Sequence, residues 1–291
     1  MTIEEIDAFL AVVEYGTLSL AAEKLFISQS TISQRLKRLE HELGTSLFVR
    51  QQGQRSAVLT ASGAELVPIA QQWSSLWRDM YSLNASSAKT QVTIGSVDLI
   101  NSVTFVPFYK KVLTHHPEIE LVINTHHSTE LHSLLESRMI DMGFVFRQMK
   151  YPDIISTPIC REEMLLFSQR SSGYRNEVSV SQLDPKKEVY LKWNAEYELW
   201  HHGCWSNNQH LIQVDIGMNM GHYLDEPGSW AIGPPSLIHT LKKELDLISC
   251  RLKEPPPPLV YYLLTHRYPK PSKAGAIEAL ASEIKQYLKG D

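Results

Sequence analysis

Apolar residues recur every three or four positions from the start of the chain to Gly44, which is the spacing that places side chains on one face of an α-helix. Turn signals divide the stretch into three, so the pattern predicts three helices. Their apolar positions are Ile3, Ile6, Phe9, Leu10 and Val13, then Ala21, Ala22 and Leu25, then Ile32, Leu36, Leu39 and Leu43. Gly16 and Gly44 are placed to end the first and third helices, because glycine adopts the left-handed C-cap conformation readily.

The third predicted helix carries polar side chains opposite its apolar positions. Ser28 can cap it by accepting a hydrogen bond from an N–H group of the first turn. Serine and glutamine can hydrogen-bond to base edges in DNA, whereas lysine and arginine can hold phosphates. The candidate DNA-binding residues of this helix are Ser28, Gln29, Ser30, Thr31, Ser33, Gln34, Arg35, Lys37 and Arg38. The competing interpretation is an ordinary solvated face.

A β wing is predicted after the third helix. Leu47 and Phe48 would anchor its first strand, and the segment QQGQRS is turn-like. Arg50 and Arg55 are then placed to reach the DNA backbone or the minor groove, which makes them further candidate DNA-binding residues.

A long helix with an apolar seam is expected next. Thr60 is placed to cap it, and it would run to about Asn84, before the small, polar, hinge-like residues 85–88. Two sets of apolar residues repeat every seven positions, as the a and d positions of a coiled coil do. The residues of this seam are Leu66, Ile69, Trp73, Leu76, Met80 and Leu83. Because such a seam buries nothing alone, it predicts a partner helix; packing on the chain's own domain is the alternative.

From residue 89 onward, short apolar runs alternate with helical spacing, which predicts a parallel α/β sheet. The expected strands contain the segments TQVTIGSV, PEIELVINT, IDMGF, EVYLKW, LIQVD, SWAIGP and LVYYLLTH. Helices are expected near 103–113, 131–135, 195–205 and 217–225, and from Lys273 onward.

The order of residues in the first part of the chain carries a more specific signal than its periodicity. The pattern AA-x-x-L-x-x-S-Q-S-x-x-S-x-x-(I/L)-x-x-LE-x-x-LG-x-x-LF-x-R resembles the N-terminal module of LysR-type transcriptional regulators. It is carried here by Ala21, Ala22, Leu25, Ser28, Gln29, Ser30, Ser33, Leu36, Leu39, Glu40, Leu43, Gly44, Leu47, Phe48 and Arg50. Sparser matches follow at Pro117-Glu118 and at Asp141-x-Gly143.

The resemblance implies a particular domain organisation. Residues 1–60 would form a mainly α winged helix-turn-helix DNA-binding domain, and residues 61–88 a linker helix and hinge used for dimerisation. Residues 89–291 would form an α/β effector-binding domain with two lobes, built like a periplasmic binding protein. Lobe one is expected at about 89–165 and 265–291 and lobe two at about 166–264, with hinge strands near Leu165–Ser168 and Leu263–His266.

Ligands of doubly wound sheets bind at the carboxyl ends of the strands, beside helix N-termini. This rule selects a set of candidate effector-binding residues. They are Ser96, Asp98, Asn101, Ser102, Thr125, His126, His127, Ser128, Phe146, Arg147, Lys192, Trp193 and Asn194. Loop hydroxyl groups also serve as turn and cap groups, and Trp193 also suits simple packing of lobe two, so each has a structural alternative.

Two of these candidates suggest what the effector carries. Ser96 matches a small hydroxyl residue that the family often uses to hold an effector carboxylate, and backbone N–H groups there would support an anion. Asp98 argues the other way, since it would cap the helix itself or hold an amine. An effector with both a carboxylate and an amine would reconcile the two.

Composition restricts where DNA can bind. The chain has 28 Lys+Arg against 32 Asp+Glu and a net charge of −4, so DNA must meet a local basic patch rather than a basic protein. All the basic residues up to residue 60, except Lys24, fall in the third helix and the wing. We find no apolar run of the roughly 18 residues that a membrane span needs, and the acidic start is unlike a signal peptide. We therefore expect a cytoplasmic protein without a membrane partner.

Other chemistries have little support in the sequence. The three cysteines form no close pair, and the histidine pairs at 115–116, 126–127 and 201–202 lack zinc-ligand spacing. We find no G-x-S-x-G, P-loop, G-x-G-x-x-G or H-E-x-x-H motif. We therefore expect no enzyme, no metal site and no cofactor beyond a small-molecule effector of unknown identity. A metal- or redox-responsive regulator and a ligand-independent DNA-binding protein stay as alternatives.

The family resemblance also implies an assembly. Two recognition helices, paired by the linker helix, would enter successive major grooves of a pseudo-palindromic operator in double-stranded DNA. The partners expected are therefore DNA, further copies of the chain as a dimer or a tetramer, and the effector, with RNA polymerase as a further candidate.

Overall fold

The computed structural model describes residues 1–49, 56–82, 89–205 and 209–288. Its chain divides into two compact units, residues 1–87 with 137–139, and residues 88–136 with 140–291. We refer to them as the N-terminal unit and the C-terminal unit. The predicted site residues Arg50, Arg55 and Leu83 and the predicted hinge at 85–88 lie outside the described residues.

The N-terminal unit contains the three predicted helices, then a short two-stranded sheet and a long helix. These elements are α1 Ile3–Tyr15, α2 Leu18–Lys24, α3 Gln29–Leu43, β1 Phe48–Val49, β2 Val58–Leu59 and α4 Ala61–Ser82. Capping residues set the bounds of α2 and α3: the Thr17 hydroxyl accepts from Leu20 N–H and the Ser28 hydroxyl from Thr31 N–H. Gly16 and Gly44 take the left-handed conformation at the ends of α1 and α3, as expected.

The core of the N-terminal unit is formed by the apolar faces of α1, α2 and α3. Phe9, Ala21, Ile32 and Leu39 are fully buried there. Leu43 does not join them: it is 39% exposed, so the prediction that it faces inward is wrong. It is the last residue of α3, directly before the Gly44 cap, where helical packing ends.

Backbone contacts fasten the wing and α4 to this core. Strands β1 and β2 pair antiparallel, with Phe48 opposite Leu59. The Thr60 hydroxyl accepts a hydrogen bond from Gly63 N–H, as a cap of α4 should. A Cβ atom on Gly63 would lie 2.1 Å from the Leu47 carbonyl oxygen, so only glycine lets α4 begin this close to the strand.

The C-terminal unit alternates strands and helices along most of its length. Its elements are β3 Thr90–Ser96, α5 Val106–His115, β4 Ile119–Thr125, α6 Ser128–Glu136, β5 Met142–Val145, β6 Ile154–Glu162, β7 Leu165–Gln169, β8 Glu177–Val178, β9 Val189–Leu191, α7 Ala195–Cys204, β10 Ile212–Val214, β11 Ala231–Gly233, α8 Pro235–Leu241, β12 Leu247–Leu252, β13 Leu259–His266 and α9 Pro271–Tyr287. A π-helical turn covers Ile100–Thr104, and a 3-10 turn covers Gly217–Tyr223.

Lobe one is built on a five-stranded sheet in the order β4-β3-β5-β13-β6. Strands β3, β4 and β5 are parallel, so their carboxyl ends meet at one edge, whereas β13 runs antiparallel to β5 and β6. The predicted lobe boundary is therefore wrong at its second crossing, because it assigns most of β13 to lobe two, whereas the strand pairs only with lobe-one strands. The chain crosses between lobes at residues 163–164 and 253–258 instead.

Lobe two contains a four-stranded sheet in the order β11-β7-β12-β8 and a parallel pair of β9 and β10. Strand β7, the first of the two predicted hinge strands, pairs with β11 and β12 inside this lobe. The helix predicted at 217–225 is the 3-10 turn at Gly217–Tyr223. Among the described residues, no helix has the length and apolar character needed to cross a membrane.

Gly63→Ala should lower the free energy of unfolding by about 1–3 kcal/mol, because the added methyl group collides with backbone that cannot rotate away. Gly275→Ala is the matched control. A Cβ there, in the second turn of α9, meets nothing within 4 Å, so alanine should stabilise by roughly 0.5–1 kcal/mol. Urea unfolding of both full-length variants gives the comparison. Equal stability of Gly63→Ala and wild type would contradict the close packing of α4.

Candidate functional site

The outer face of α3 presents the predicted base-reading and phosphate-binding side chains. Ile32, Leu36 and Leu39 are buried, which leaves the opposite face of the helix to solvent. The exposed members of the predicted set are Ser28, Gln29, Ser30, Gln34, Lys37 and Arg38, and the half-buried members are Thr31, Ser33 and Arg35. Helix α3 therefore carries two exposed cations, Lys37 and Arg38, next to exposed amide and hydroxyl groups.

Local hydrogen bonds hold the amino end of α3 in place. The Ser28 hydroxyl lies 2.7 Å from the Ser30 hydroxyl and 2.8 Å from the Thr31 hydroxyl. The Ser19 hydroxyl donates to Gln29 Oε1, which connects α2 to α3. Ser28 thus serves first as a cap, and its hydroxyl is already engaged by two neighbours. Gln34, Lys37 and Arg38 lie farther along the helix.

An apolar strip on α4 matches the predicted seam. Ile69, Trp73, Leu76 and Met80 are 58%, 36%, 46% and 53% exposed. Leu66 instead packs against the core of the N-terminal unit. Four neighbouring apolar side chains, spaced at three and four residues and exposed in the single chain, form a surface that a second helix would cover.

A cleft of about 360 Å³ lies in the C-terminal unit, between lobe one and lobe two. Lobe one contributes residues that follow the carboxyl ends of β3, β4 and β5, and lobe two contributes residues that follow β9 and β10. Its lining residues are Val97, Asp98, Leu99, Thr125, His126, His127, Ser128, Glu130, Phe146, Leu191, Lys192, Trp193, Asp215, Ile216 and Gly217. The volume is within the range of small-molecule sites.

The strand-end rule brings many of the predicted effector residues together in this cleft. Those that line it are Asp98, Thr125, His126, His127, Ser128, Phe146, Lys192 and Trp193. Lys192 and Trp193 both reach it because β9 ends at Leu191, before strand alternation would separate them. The Trp193 indole also packs, since its Nε1–H donates to the Ile232 carbonyl.

Five predicted residues do not line the cleft, and Ser96 is one of them. Ser96 is fully buried, and its hydroxyl donates to the Val97 carbonyl. It is therefore turned into the protein rather than toward an effector carboxylate. Arg147 is exposed outside the cleft. Asn194 caps α7 by accepting from Tyr197 N–H.

Asn101 and Ser102 support the cleft instead of lining it. The Asn101 amide donates to the Thr125 hydroxyl and to the Asn124 carbonyl, and it accepts from the Tyr109 hydroxyl. Burial raises the pKa of Tyr109, so this hydroxyl stays protonated and keeps donating. Ser102 donates to the Asp98 carbonyl. Both residues position neighbours that do line the cleft.

Carboxylates from both lobes dominate the charge of the cleft. Burial raises the pKa of Asp98, and the nearby Asp215 carboxylate raises it further, although the Ser102 hydroxyl acts in the opposite direction. Asp98 Oδ2 is buried and has no hydrogen-bond partner among the described residues. Two like charges, one from each lobe, therefore face the same space, and one of them is incompletely solvated.

The basic side chains of the cleft are partly engaged. Lys192 Nζ lies 2.7 Å from Glu198 Oε1 of α7, and His126 Nδ1 lies 3.6 Å from Glu130 Oε2. With Asp98, Asp215 and Glu130 as acids and Lys192 already paired outside the cleft, the arrangement favours a ligand that brings positive charge.

An aromatic contact and a carboxylate connect the two lobes beside the cleft. The Phe146 ring lies 6.3 Å from Trp193 and 4.9 Å from Tyr261. The Tyr261 hydroxyl donates to Glu162, which also accepts from the N–H and hydroxyl groups of Ser236 in lobe two. A movement of the Phe146 ring would therefore press on Tyr261, whose hydroxyl shares the Glu162 carboxylate with Ser236 of α8.

The sequence prediction missed the members of the cleft that come from other strand ends. Asp215, Ile216 and Gly217 directly follow β10, so the same strand-end rule would have selected them. Glu130 lies in the first turn of α6 and Leu191 ends β9. Val97 and Leu99 flank Asp98 and also line the cleft. Nothing in the sequence distinguishes these two apolar residues from ordinary core residues.

Two family models match the chain. The model described as "Bacterial regulatory helix-turn-helix protein, lysR family" matches residues 3–64. The model described as "LysR substrate binding domain" matches residues 85–289. Together they span both units of the structure.

Relatives and solved structures agree with these matches. The HTH-type transcriptional regulator SoxR of Arthrobacter sp. (strain TE1826) is 30% identical over 220 residues, which cover 74% of this chain and 72% of that protein. A full-length, singly substituted OxyR from Pseudomonas aeruginosa has a TM-score of 0.69 at 18% identity and covers 98% of this chain and 95% of its own. Full-length CbnR in complex with its target DNA has a TM-score of 0.69 at 18% identity and covers 99% of this chain and 100% of its own.

Proposed function

The chain belongs to the LysR family of bacterial helix-turn-helix regulatory proteins, and we propose that it controls transcription in response to a small amine bound in the cleft. The family establishes a DNA-binding transcriptional regulator with an effector-binding domain rather than an enzyme. The observation that carries the amine is the pair of facing carboxylates, Asp98 from lobe one and Asp215 from lobe two.

A cationic amine between these carboxylates would change the energy of lobe closure. Without it, Asp98 and Asp215 repel each other across the cleft and oppose closure. With it, each carboxylate gains a charge-assisted hydrogen bond, and Phe146 and Trp193 can cover the apolar part of the ligand. The effector would then bind the closed form more tightly than the open form, which is what a shift of equilibrium requires.

This proposal revises our expectation of an effector that carries both a carboxylate and an amine. The amine keeps its support from Asp98. The carboxylate loses its main support because the Ser96 hydroxyl is buried and bonded to the Val97 carbonyl. An effector carboxylate would have to meet Lys192, after its release from Glu198, or His126.

We propose that α3 is the recognition helix. Gln29, Ser30, Ser33 and Gln34 would read bases from the major groove. The phosphate-binding side chains would be Arg35, Lys37 and Arg38 from α3, with Arg50 and Arg55 from the wing. In support, CbnR, which was solved in complex with its target DNA, has a similar fold over 99% of this chain.

The assembly is part of the same proposal. The exposed strip of Ile69, Trp73, Leu76 and Met80 would pair two chains along α4, so that two copies of α3 meet a pseudo-palindromic operator. A dimer of dimers, contact with RNA polymerase and a cytoplasmic location, where bacterial DNA lies, follow from this role.

Two exposed residues of α3 should affect DNA binding in different ways. Lys37→Ala should weaken binding to every sequence and reduce the log–log salt slope by about 0.9, because one phosphate contact is lost. Gln34→Ala should change sequence preference, because the lost base contact would lower the discrimination against the wrong base by about 1–3 kcal/mol. Fluorescence anisotropy at several salt concentrations, on an operator selected from random duplexes and on a scrambled duplex, measures both effects.

Lys243→Ala, which removes an exposed lysine of the C-terminal unit, is the matched control for charge. A Lys37→Ala variant that changed preference but kept its salt slope would show that the roles are assigned the wrong way round.

Leu76→Glu should separate the paired chains. A charge in the centre of the seam would cost on the order of 2 kcal/mol or more, so the apparent dissociation constant of the dimer should rise by at least about 30-fold. Sedimentation velocity measures this change, and Ala64→Glu adds the same charge to an exposed position of α4 that lies off the seam. Unchanged association of Leu76→Glu would rule out this face as the dimer contact.

Asp98→Asn should stabilise the protein without effector at neutral pH. Because the pKa of Asp98 is higher in the folded protein than in the unfolded chain, the folded state holds this proton more tightly. The free energy of unfolding of wild type therefore falls as pH rises from the ordinary aspartate pKa through the raised pKa. The variant should therefore melt above wild type at neutral pH, with the difference vanishing below the ordinary aspartate pKa near 3.9. Thermal melts of the full chain across pH test this prediction.

The same variant tests the effector class. Against a panel of amines, amino acids and matched carboxylic acids, an amine at about 100 times its Kd should stabilise wild type by about 2.7 kcal/mol. Asp98→Asn should lose this response, and Asp225→Asn, at an exposed position outside the cleft, should keep it. Stabilisation by carboxylic acids alone would contradict the amine. No response to any compound would favour ligand-independent regulation.

A further inference from the structure

Lobe two holds a cluster of three metal-ligating side chains outside the cleft. Glu188 Oε2 lies 2.7 Å from His201 Nε2 and 3.1 Å from His210 Nδ1. One ligand atom from each of the three residues lies within 4.8 Å of the others. The side chains of Glu188 and His201 are 0% and 2% exposed, and that of His210 is 11% exposed. The cluster is thus buried but reaches the surface through one imidazole.

The topology of lobe two brings these distant residues together. Strands β9 and β10 are parallel neighbours, with Val189 opposite Ile212. Glu188 directly precedes β9 and His210 lies just before β10, so both are at the amino ends of the two strands. The connection between the strands includes α7, whose last turn carries His201 back over the same end. Backbone bonds pin Glu188 further, since its carbonyl accepts from Leu211 N–H.

The polar groups of this cluster are incompletely satisfied. Both imidazoles approach the same carboxylate oxygen, Oε2, while Glu188 Oε1 is buried without a hydrogen-bond partner among the described residues. A buried carboxylate is costly unless its charge is compensated and its oxygens are bonded. A divalent cation bound by Oε2 would supply the compensating charge, and the water in its fourth position could donate a hydrogen bond to Oε1.

We propose that Glu188, His201 and His210 bind a divalent first-row transition metal ion, with Zn²⁺ as the ion that suits this donor set. Two imidazole nitrogens and one carboxylate oxygen, with one position left for water, form a common type of zinc coordination. In a tetrahedral site the ligand atoms lie about 3.3 Å apart. Glu188 Oε2, which lies 2.7 Å and 3.1 Å from the two imidazole nitrogens, would therefore move away from them by roughly 0.6 Å and 0.2 Å, and the two nitrogens already lie within 4.8 Å of each other.

Metal binding by the neutral imidazoles needs no net release of protons. An imidazole that donates to Glu188 loses that proton and takes one up at its other ring nitrogen, so that it becomes the other tautomer and its freed nitrogen binds the metal. The Tyr190 ring stacks on His210 with centroids 4.1 Å apart and an interplanar angle of 4°, which holds that imidazole in orientation. Such outer contacts are what fix metal-binding histidines.

The experiment uses the full chain, expressed without a histidine tag and stripped with a chelator. Equilibrium dialysis against Zn²⁺ should find one ion per chain. Co²⁺ in its place should give the visible absorption of a tetrahedral nitrogen and oxygen site, without a thiolate band from Cys204. His210→Gln removes the partly exposed ligand, so it should fold, and it should weaken Zn²⁺ binding by more than about a hundredfold, since loss of outer contacts alone costs 10–100-fold.

Two control variants separate this site from the other histidines. His202→Gln removes an exposed imidazole of the same helix, and His116→Gln removes the one whose Nε2 lies 2.8 Å from Glu283 Oε2 in lobe one. Both should keep Zn²⁺ binding, and Glu188→Gln should lose it. Absence of binding by wild type, full binding by His210→Gln, or loss of binding in His116→Gln would each overturn the proposal. If His210→Gln fails to fold, Glu188→Gln and the Co²⁺ spectrum of wild type decide it.

Discussion

The position of β13 between β5 and β6 determines how the rest of the C-terminal unit is arranged. Eight consecutive residues of β13 pair with β6, and four of them also pair with β5. The chain must therefore leave lobe one after β6, complete all of lobe two, and return before residue 259. Two short crossings result, and Glu162, at the end of β6, accepts hydrogen bonds from Ser236 of lobe two and from Tyr261 of β13. Because the crossings are few and short, the lobes can change their angle around this point while the cleft edge of each sheet stays intact.

The parts of this molecule that could be predicted from sequence are those set by local periodicity or by a general rule of topology. Helical spacing predicted α1, α2 and α3, and the strand-end rule placed Asp98, Thr125 and Trp193 in one cleft. Side-chain direction could not be predicted in the same way. Ser96 ends β3 as expected, but strand alternation points its hydroxyl into the protein. The lobe assignment of β13 failed because its sequence, LVYYLLTH, is compatible with any buried strand, and only its pairing partners decide its lobe.

The cleft shows why a binding site can carry a stability cost. Asp98 has a buried oxygen without a partner among the described residues, and Asp215 faces it from the other lobe. A packed interior would place apolar groups or a paired cation there. Binding sites tolerate such groups because the ligand satisfies them, and the energy released on binding is then available to change the lobe angle. The Glu188 cluster in lobe two is comparable, since it also leaves a buried carboxylate oxygen unpaired among the described residues, and its members are too far apart in sequence to form a recognisable ligand motif.

The two proposed sites of lobe two lie at opposite ends of the same strand. Glu188 precedes β9, and Leu191, Lys192 and Trp193 at its other end line the cleft. At about 3.3 Å per residue, three strand residues separate the two ends by roughly 10 Å. A metal ion on Glu188 and His201 would fasten α7 to β9, and α7 also carries Glu198, the partner of Lys192. A movement of α7 that separated Glu198 from Lys192 would leave the Lys192 ammonium unpaired at the cleft. If metal binding changes the charge of the cleft by this route, thermodynamic linkage requires that the effector change metal affinity by the same factor.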